Sequence, residues 1–429
     1  MRTFLRPLVT IGAVVLPLML ARPARAQSVC GGRALNLGGS CSGLSVGNSY
    51  RWTGIRINWQ DHGVERVRGI NVTLWIPPKN DDRLTGDFGG LNLGLAPAGG
   101  RLSGINAGVG ALVAGEEVNG LSVAGVAIVS NGSARGVNLA GIADVANGSL
   151  EGINLAGIAT VANGSQRGIG IAGLAVVTNG AADGVHIGGL AAVANGRMRG
   201  INIGGLATVG DGGLQGVNLS VGAVVSNQHM RGINVGGLAT VANGYMHGIN
   251  LGGLATVANG GMTGINVSGL ATVTNGHMRG LNVGGLAVVG NGSVQPFNVG
   301  GLAVVSSGPI RGASIAGLAI VSGDYISGGS TTLGAVEADH RINGVAIGGY
   351  RVKAPHIEGV AASVLRVYSS EMRGLSVAGF NDAGLQVGVA IGVYNYAREL
   401  HGLQLGLLNR ANNNRPPFRW LPLVNAHLN

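Results

Sequence analysis

Charged and aromatic residues are both scarce in this 429-residue chain, at 11% and 4% of the sequence. Soluble domains usually carry about a quarter charged residues, so the composition is not that of an ordinary globular enzyme. Disorder is also excluded, because disordered chains are polar and this chain is 46% hydrophobic with regular patterning. The 82 glycines follow no triplet period, which excludes a collagen helix.

Lysine is almost absent, because Lys79 and Lys353 are the only two, and arginine supplies nearly all of the net charge of +10. The arginines are spread along the chain and are not interleaved with aromatic residues. Nucleic-acid-binding proteins usually concentrate basic residues in one patch, so we predict no nucleic-acid partner. A diffuse basic surface is compatible with an envelope polysaccharide or the outer membrane as partner.

Cysteine occurs twice, at Cys30 and Cys41. In an exported protein an even pair this close in sequence predicts a disulfide that closes a small loop, with two free thiols as the alternative. Two cysteines without nearby histidines fall short of a zinc ligand set, so we predict no metal site.

The first 26 residues have the features of a secretory signal. Arg2 and Arg6 precede an apolar run, and Ala24-Arg25-Ala26 supplies small residues for cleavage. We therefore predict removal of residues 1–26 and export to the periplasm, outer membrane or cell surface. A retained anchor is the alternative, although the uncharged run is shorter than the ~20 residues of a spanning helix.

A sixteen-residue phrase repeats fifteen times, without insertion or deletion, between Gly104 and Asn343. One unit runs from Gly232 (position one) to His247 (position sixteen). A fixed period of this kind indicates a repeat architecture. Positions two, four, eight and ten alternate as apolar residues, so we predict strands with one apolar face toward the core. Position eight is Ala in all fifteen units, which we read as a cramped interior.

Two all-β architectures fit this pattern. The first is a β-solenoid of sixteen-residue Gly-rich coils with irregular β caps, and the alternative is an antiparallel meander closed into a transmembrane β-barrel. The constant unit length, the small residue at position eight and the scarcity of aromatics favour the solenoid. We predict an N-terminal cap at 27–95, the repeat array at 96–343, and irregular β-repeats with a C-terminal cap at 344–429.

Asparagine recurs at position three of most units. Stacked coils would place these side chains one above another, where each amide can bond to the next. The predicted ladder comprises Asn202, Asn218, Asn234, Asn250, Asn266 and Asn282.

No residue pattern predicts a catalytic, cofactor-binding or metal-binding site. A glycosidase needs two converging acids, whereas Asp144, Asp183 and Asp211 fall at different repeat positions and read as surface substitutions. The histidines, His229 and His277 among them, read as solvated corner residues.

The C-terminal segment GLQVGVAIGVYNYARELHGLQLGLLNRANNNRPPFRWLPLVNAHLN carries the most distinctive motifs. Its G-[LV]-Q-[LIV]-G-L-x-N phrase and PFRWLPLVN block resemble an uncharacterised family of exported bacterial surface-repeat proteins of the leptospiral type. With the Gly-Ile-Asn-Val phrases, the resemblance covers most of residues 70–429. It implies an envelope or surface location and no established activity. One departure is that the chain closes with His427-Leu428-Asn429 rather than an aromatic residue.

We therefore expect a non-enzymatic exported envelope or surface protein with a structural or adhesive role and no cofactor. An outer-membrane β-barrel acting as a pore is the first alternative. A carbohydrate-active β-helix enzyme is the more remote one.

Overall fold

The structure is a computed structural model that describes residues 30–77 and 84–428. The predicted signal segment, residues 1–26, lies outside the described residues. Throughout the described ranges the regular elements are β-strands, numbered β1 to β39 in chain order.

The N-terminal strands precede the constant sixteen-residue period. They are β1 (Gly32–Leu37), β2 (Ser42–Ser49), β3 (Arg51–Gln60), β4 (Arg66–Trp75), β5 (Asp87–Gly94), β6 (Ala98–Gly108) and β7 (Ala111–Ala124).

Each coil of the array then contributes one short and one long strand. The short strands are β8 (Ala127–Ser130), β10 (Ala143–Ala146), β12 (Ala159–Ala162), β14 (Ala175–Thr178), β16 (Ala191–Ala194), β18 (Ala207–Gly210), β20 (Ala223–Ser226), β22 (Ala239–Ala242), β24 (Ala255–Ala258), β26 (Ala271–Thr274), β28 (Ala287–Gly290), β30 (Ala303–Ser306), β32 (Ala319–Ser322) and β34 (Ala335–Ala338). The long strands are β9 (Ser133–Ala140), β11 (Leu150–Ala156), β13 (Gln166–Ala172), β15 (Ala182–Gly188), β17 (Met198–Gly204), β19 (Leu214–Ser220), β21 (Met230–Gly236), β23 (Met246–Gly252), β25 (Met262–Ser268), β27 (Met278–Gly284), β29 (Val294–Gly300), β31 (Ile310–Ala316), β33 (Tyr325–Thr332) and β35 (Arg341–Gly348). The chain finishes with β36 (Arg351–Lys353), β37 (His356–Ser363), the continuous extended segment β38 (Arg366–Ala411) and β39 (Trp420–His427).

The strands pair in parallel with their equivalents one coil away. Ile233 lies opposite Ile249 in the long strands, and Ala239 lies opposite Ala255 in the short strands. This register confirms the predicted β-solenoid. It contradicts the alternative of an antiparallel meander, in which successive units would run in opposite directions.

Both ends of the stack change to antiparallel pairing. Strand β1 pairs antiparallel with β2, and β39 pairs antiparallel with β38. Each terminal strand covers the edge of a sheet that would otherwise expose unpaired backbone groups. Parallel stacking also extends beyond 96–343, because β2 to β6 and β35 to β38 are stacked coils as well.

A column of glycines at position one forms one corner of every coil from Gly43 to Gly402, with Pro296 as the substitute in one coil. Gly232 has a φ of +108°, and a Cβ there would lie 2.1 Å from the carbonyl oxygen of Gly216 in the preceding coil. Only glycine tolerates both the positive φ and this contact. The column bends the long strand, so that each coil has three sides.

We define the first side as positions two to five, the second as eight to eleven and the third as fourteen to sixteen. In the coil that starts at Gly232 the inward residues are Asn234, Gly236, Thr240, Ala242 and Met246, all buried. The interior of this coil is therefore lined by small, amide or flexible side chains, whereas other coils place aliphatic residues such as Val304 and Ile310 at positions nine and fifteen.

The predicted direction of the apolar face is wrong. Ile233, at position two, is 41% exposed, and the Ala at position eight and the Val at position ten are half-buried, so position eight does not lie in the interior. Position five leaves no room for a larger inward side chain, because a Cβ on inward-facing Gly236 would meet the carbonyl oxygen of Ala239 at 1.9 Å. Alternation identified two faces, but hydrophobicity alone did not identify the inner one.

Candidate functional site

The asparagines at position three form a continuous ladder inside the solenoid. From Asn202 to Asn282 each Nδ2 donates to the Oδ1 of the next side chain, at 2.8 to 3.0 Å. All of these side chains are buried. Because each amide satisfies the next, polar groups are tolerated in this core.

A second asparagine ladder runs along the outer corner at position twelve. Asn259 Nδ2 donates to Asn243 Oδ1 at 3.0 Å, and Asn275 Nδ2 donates to Asn259 Oδ1 at 3.1 Å. The sequence showed these residues only as turn formers, and their exact sixteen-residue spacing was the signal for the ladder.

The inner ladder is interrupted where position three is Gly170 and then His186. The side chain of buried Gln166 fills the space at Gly170, because a Cβ on that glycine would lie 2.0 Å from Gln166 Nε2. His186 Nδ1 lies 3.1 Å from Asn202 Oδ1, and burial lowers the pKa of His186 despite that hydrogen bond. The space is therefore filled but the hydrogen-bonded ladder is broken, because Asn154 Nδ2, Gln166 Nε2 and His186 Nε2 have no hydrogen-bond partner within the described ranges.

Asp144 is buried inside the stack, which contradicts its reading as a surface substitution. It occupies position nine, where other coils place Val, Thr, Ile, Leu or Ala, and burial raises its pKa from 3.8 to about 7. Neither carboxylate oxygen has a hydrogen-bond partner within the described ranges. A single substitution at an inward position cannot be distinguished by sequence from one at the surface unless the inner face is known.

The N-terminal end contains a disulfide and a buried ion pair. Cys30 and Cys41 form a disulfide with a Cα–Cα distance of 5.3 Å. Arg56 occupies the ladder position and is fully buried, with its guanidinium 2.6 Å from Asp61 Oδ1 and 2.8 Å from Asn71 Oδ1. A buried arginine of this kind is retained only with such partners.

Two of the three sides make an apolar outer surface. The first and second sides meet at the corner of position seven, where Leu238, Leu254 and Leu270 are 56%, 49% and 44% exposed. Among the outward positions two, four, seven, eight and ten of the fifteen units, Glu337 is the one charged residue. Large exposed apolar patches of this kind mark contact surfaces.

The third side is polar and carries most of the charge. Toward the N-terminus its charges alternate, and Arg135 contacts Glu117 at 2.8 Å and Glu151 at 3.3 Å.

The C-terminal end of the stack carries a row of stacked aromatic rings. The centroids of Phe380 and Tyr394 are 5.0 Å apart, and those of Tyr394 and Trp420 are 6.2 Å apart.

No family model, curated protein or solved structure matches this chain. Between residues 30 and 428, apart from the undescribed 78–83, no three His, Cys, Asp or Glu side chains come together as a metal site. The described residues also contain no helix that could cross a bilayer.

Proposed function

We propose that this protein is a non-enzymatic structural element of the cell envelope, a rod that assembles side by side through its apolar faces. The observation that carries the proposal is the almost uncharged surface made by the first and second sides over the whole array. The export signal read from residues 1–26 and the resemblance of the C-terminal block to surface-repeat proteins support the envelope location.

The size of one face suits association with a second copy. Fifteen coils at about 4.8 Å each make a stack of about 70 Å, and a four-residue side is about 13 Å wide. Two faces in contact would bury roughly 1,800 Å² in total, the size of a standard stable interface. Both copies carry the same rows of Ile, Val and Leu, so the ridges of one face can pack against the ridges of an identical face.

Sedimentation velocity of the mature chain over a range of concentrations tests this assembly. We expect dimers or larger species for the native chain. A triple variant with Ile201→Gln, Ile233→Gln and Ile265→Gln should remain monomeric, because it places amides on a face that the assembly would bury. These isoleucines are 40 to 43% exposed in the single chain, so the coil itself should be retained.

The matched control changes three third-side residues that lie two positions before those isoleucines: Arg199→Gln, Arg231→Gln and Thr263→Gln. This variant should assemble like the native chain. A native chain that stays monomeric in water at every concentration, or that associates only with lipid vesicles, would contradict lateral self-assembly.

A further inference from the structure

The charge on the third side becomes unbalanced in the central coils. Between residues 184 and 323 the sequence contains one acidic residue, Asp211, whose Oδ1 accepts a hydrogen bond from Asn227 Nδ2 at 2.7 Å. Arg199, Arg231 and Arg279 stand at position sixteen of this segment, and all three are exposed. None of them has an acidic partner within ion-pair distance in the described part of the chain.

Two recesses of the same design open on this side. In the first, of about 300 Å³, buried Gly213 at position fourteen forms the floor between Arg197 and His229. In the second, of about 500 Å³, buried Gly261 forms the floor between Tyr245 and His277.

Residues at position sixteen form the remaining border of both recesses. Arg199, Gln215 and Arg231 border the first recess, which we call recess one. His247, Thr263 and Arg279 border the second, which we call recess two. The floor glycines are three coils apart, which corresponds to about 14 Å along the stack.

Each recess contains a histidine held in the same way. His229 Nδ1 accepts a hydrogen bond from the Tyr245 N–H at 2.9 Å, and His277 Nδ1 accepts one from the Ser293 N–H at 2.9 Å. When Nδ1 accepts, the neutral ring carries its proton on Nε2. Both imidazoles are exposed, so each recess offers an Nε2–H donor beside an arginine.

The exposed tyrosine between the recesses packs against two imidazole rings. The Tyr245 ring is tilted by 35° against His229, with centroids 5.4 Å apart, and stacks at 28° with His247, with centroids 6.3 Å apart. Nucleic-acid grooves instead offer free aromatic faces on which bases stack. Tyr245 is better placed to hydrogen-bond through its hydroxyl group.

We propose that recesses one and two are two subsites for an acidic polysaccharide that lies along the third side. Arginine guanidinium groups would bind its carboxylate or sulfate groups, and the His, Tyr, Gln and Thr side chains would bind its hydroxyl groups. The few, widely spaced cations match a polymer with a modest charge density. The repeat places the same recess twice, so one long chain can engage both and gain from the linkage.

This inference is independent of lateral assembly, because the third side is not part of the apolar faces. Its failure would leave the sedimentation behaviour unchanged, and the reverse also holds. The two proposals therefore fail separately.

Titration calorimetry of the mature chain with polygalacturonate, a carboxylated polysaccharide, tests the site. Dextran serves as the neutral polymer. We expect binding of polygalacturonate that weakens with salt, and no binding of dextran. The double variant Arg199→Gln with Arg231→Gln should lose about tenfold in affinity, because recess one loses two charge-assisted hydrogen bonds.

The matched control is Arg135→Gln with Arg167→Gln, which removes the same charge from the same row of the same side. These arginines lie beside Glu151, at 3.3 and 4.0 Å, so the affinity should stay within about twofold. An equal loss in both double variants would show a mere net-charge effect and would overturn the site. Tight binding of oligo(dT) without binding of polygalacturonate would overturn the ligand class.

Discussion

Single inward residues decide how polar groups are satisfied in this narrow core. Most inward positions hold Ala, Gly, Thr, Met or a laddered Asn, and from Asn202 to Asn282 each laddered amide has a partner in the next coil. Asp144 departs from this rule. Its in-register neighbours are Ile128 and Thr160, and neither supplies a positive charge.

The pH dependence of the free energy of unfolding should reveal that the carboxyl group of Asp144 is buried in its protonated form. Its pKa is raised by burial to about 7, so the folded chain keeps a proton that the unfolded chain releases above about pH 4. The free energy of unfolding should therefore fall as the pH rises from about 4 to about 7, by up to about 4 kcal/mol. Asp144→Asn should remove this fall and be more stable than the native chain at about pH 8.

Thermal unfolding midpoints of both proteins across this pH range provide the measurement. His186 acts in the opposite direction, because its lowered pKa costs stability as the pH falls below the ordinary histidine pKa. It is present in both proteins, so the difference between them isolates Asp144. Parallel pH curves for the native chain and Asp144→Asn would show that the carboxylate is not held protonated.

The two asparagine ladders are the elements that connect successive coils through side chains. They are alike in spacing and differ in burial, because the inner ladder is shielded from water and the outer one is exposed. The inner amides point their donors toward the C-terminus, and the outer amides point theirs toward the N-terminus. A pair of matched substitutions can therefore separate burial from hydrogen bonding.

Asn250→Ala should destabilise the stack much more than Asn259→Ala. The first change leaves Asn234 Nδ2 and Asn266 Oδ1 without their ladder partner inside the core, which costs about 2–5 kcal/mol with the cavity included. The second exposes equivalent groups to water and should cost less than about 1 kcal/mol.

Amide hydrogen exchange measures the local opening free energy in the coils around each site, which suits a protein whose repeats open in part. Equal losses of protection in the two variants would contradict the claim that the buried inner ladder contributes more to stability than the exposed outer ladder.

At the scale of the whole molecule, the period predicted most of the architecture. Fifteen units of constant length require coils of constant perimeter, and the parallel register between coils confirms this. The sixteen-residue period did not predict the N-terminal and C-terminal coils. Their column glycines, such as Gly69 and Gly90 or Gly374 and Gly388, are not sixteen residues apart. Their φ angles and contacts still place them in the same column.

The orientation of the coil could not be predicted from hydrophobicity. Isoleucine at position two satisfied the usual rule for a core residue, yet asparagine at position three is the buried one. The stacked amides offset the usual cost of burying a polar group, and the crowded position five admits only small inward side chains. An apolar row on the outside is also what a laterally packed rod needs.

The paired recesses were equally hidden in the sequence. His229 and His277 read as separate solvated corner residues, and nothing in the sequence singled out Gly213 and Gly261. Their places in the borders and floors of the recesses emerge only when position fourteen is followed from coil to coil, where each glycine stands between two larger residues.

The labelling rate of a cysteine in place of Ile233 tests the central claim that the apolar rows lie outside and pack between copies. Cys30 and Cys41 are bonded to each other, so the Ile233→Cys thiol would react with a water-soluble maleimide on its own. Thr263→Cys, on the exposed third side, is the control. We predict that both thiols react rapidly in dilute protein and that only the thiol at position 233 becomes protected as concentration rises. A thiol at position 233 that is unreactive in dilute folded protein, or one whose rate never changes with concentration, would contradict the account.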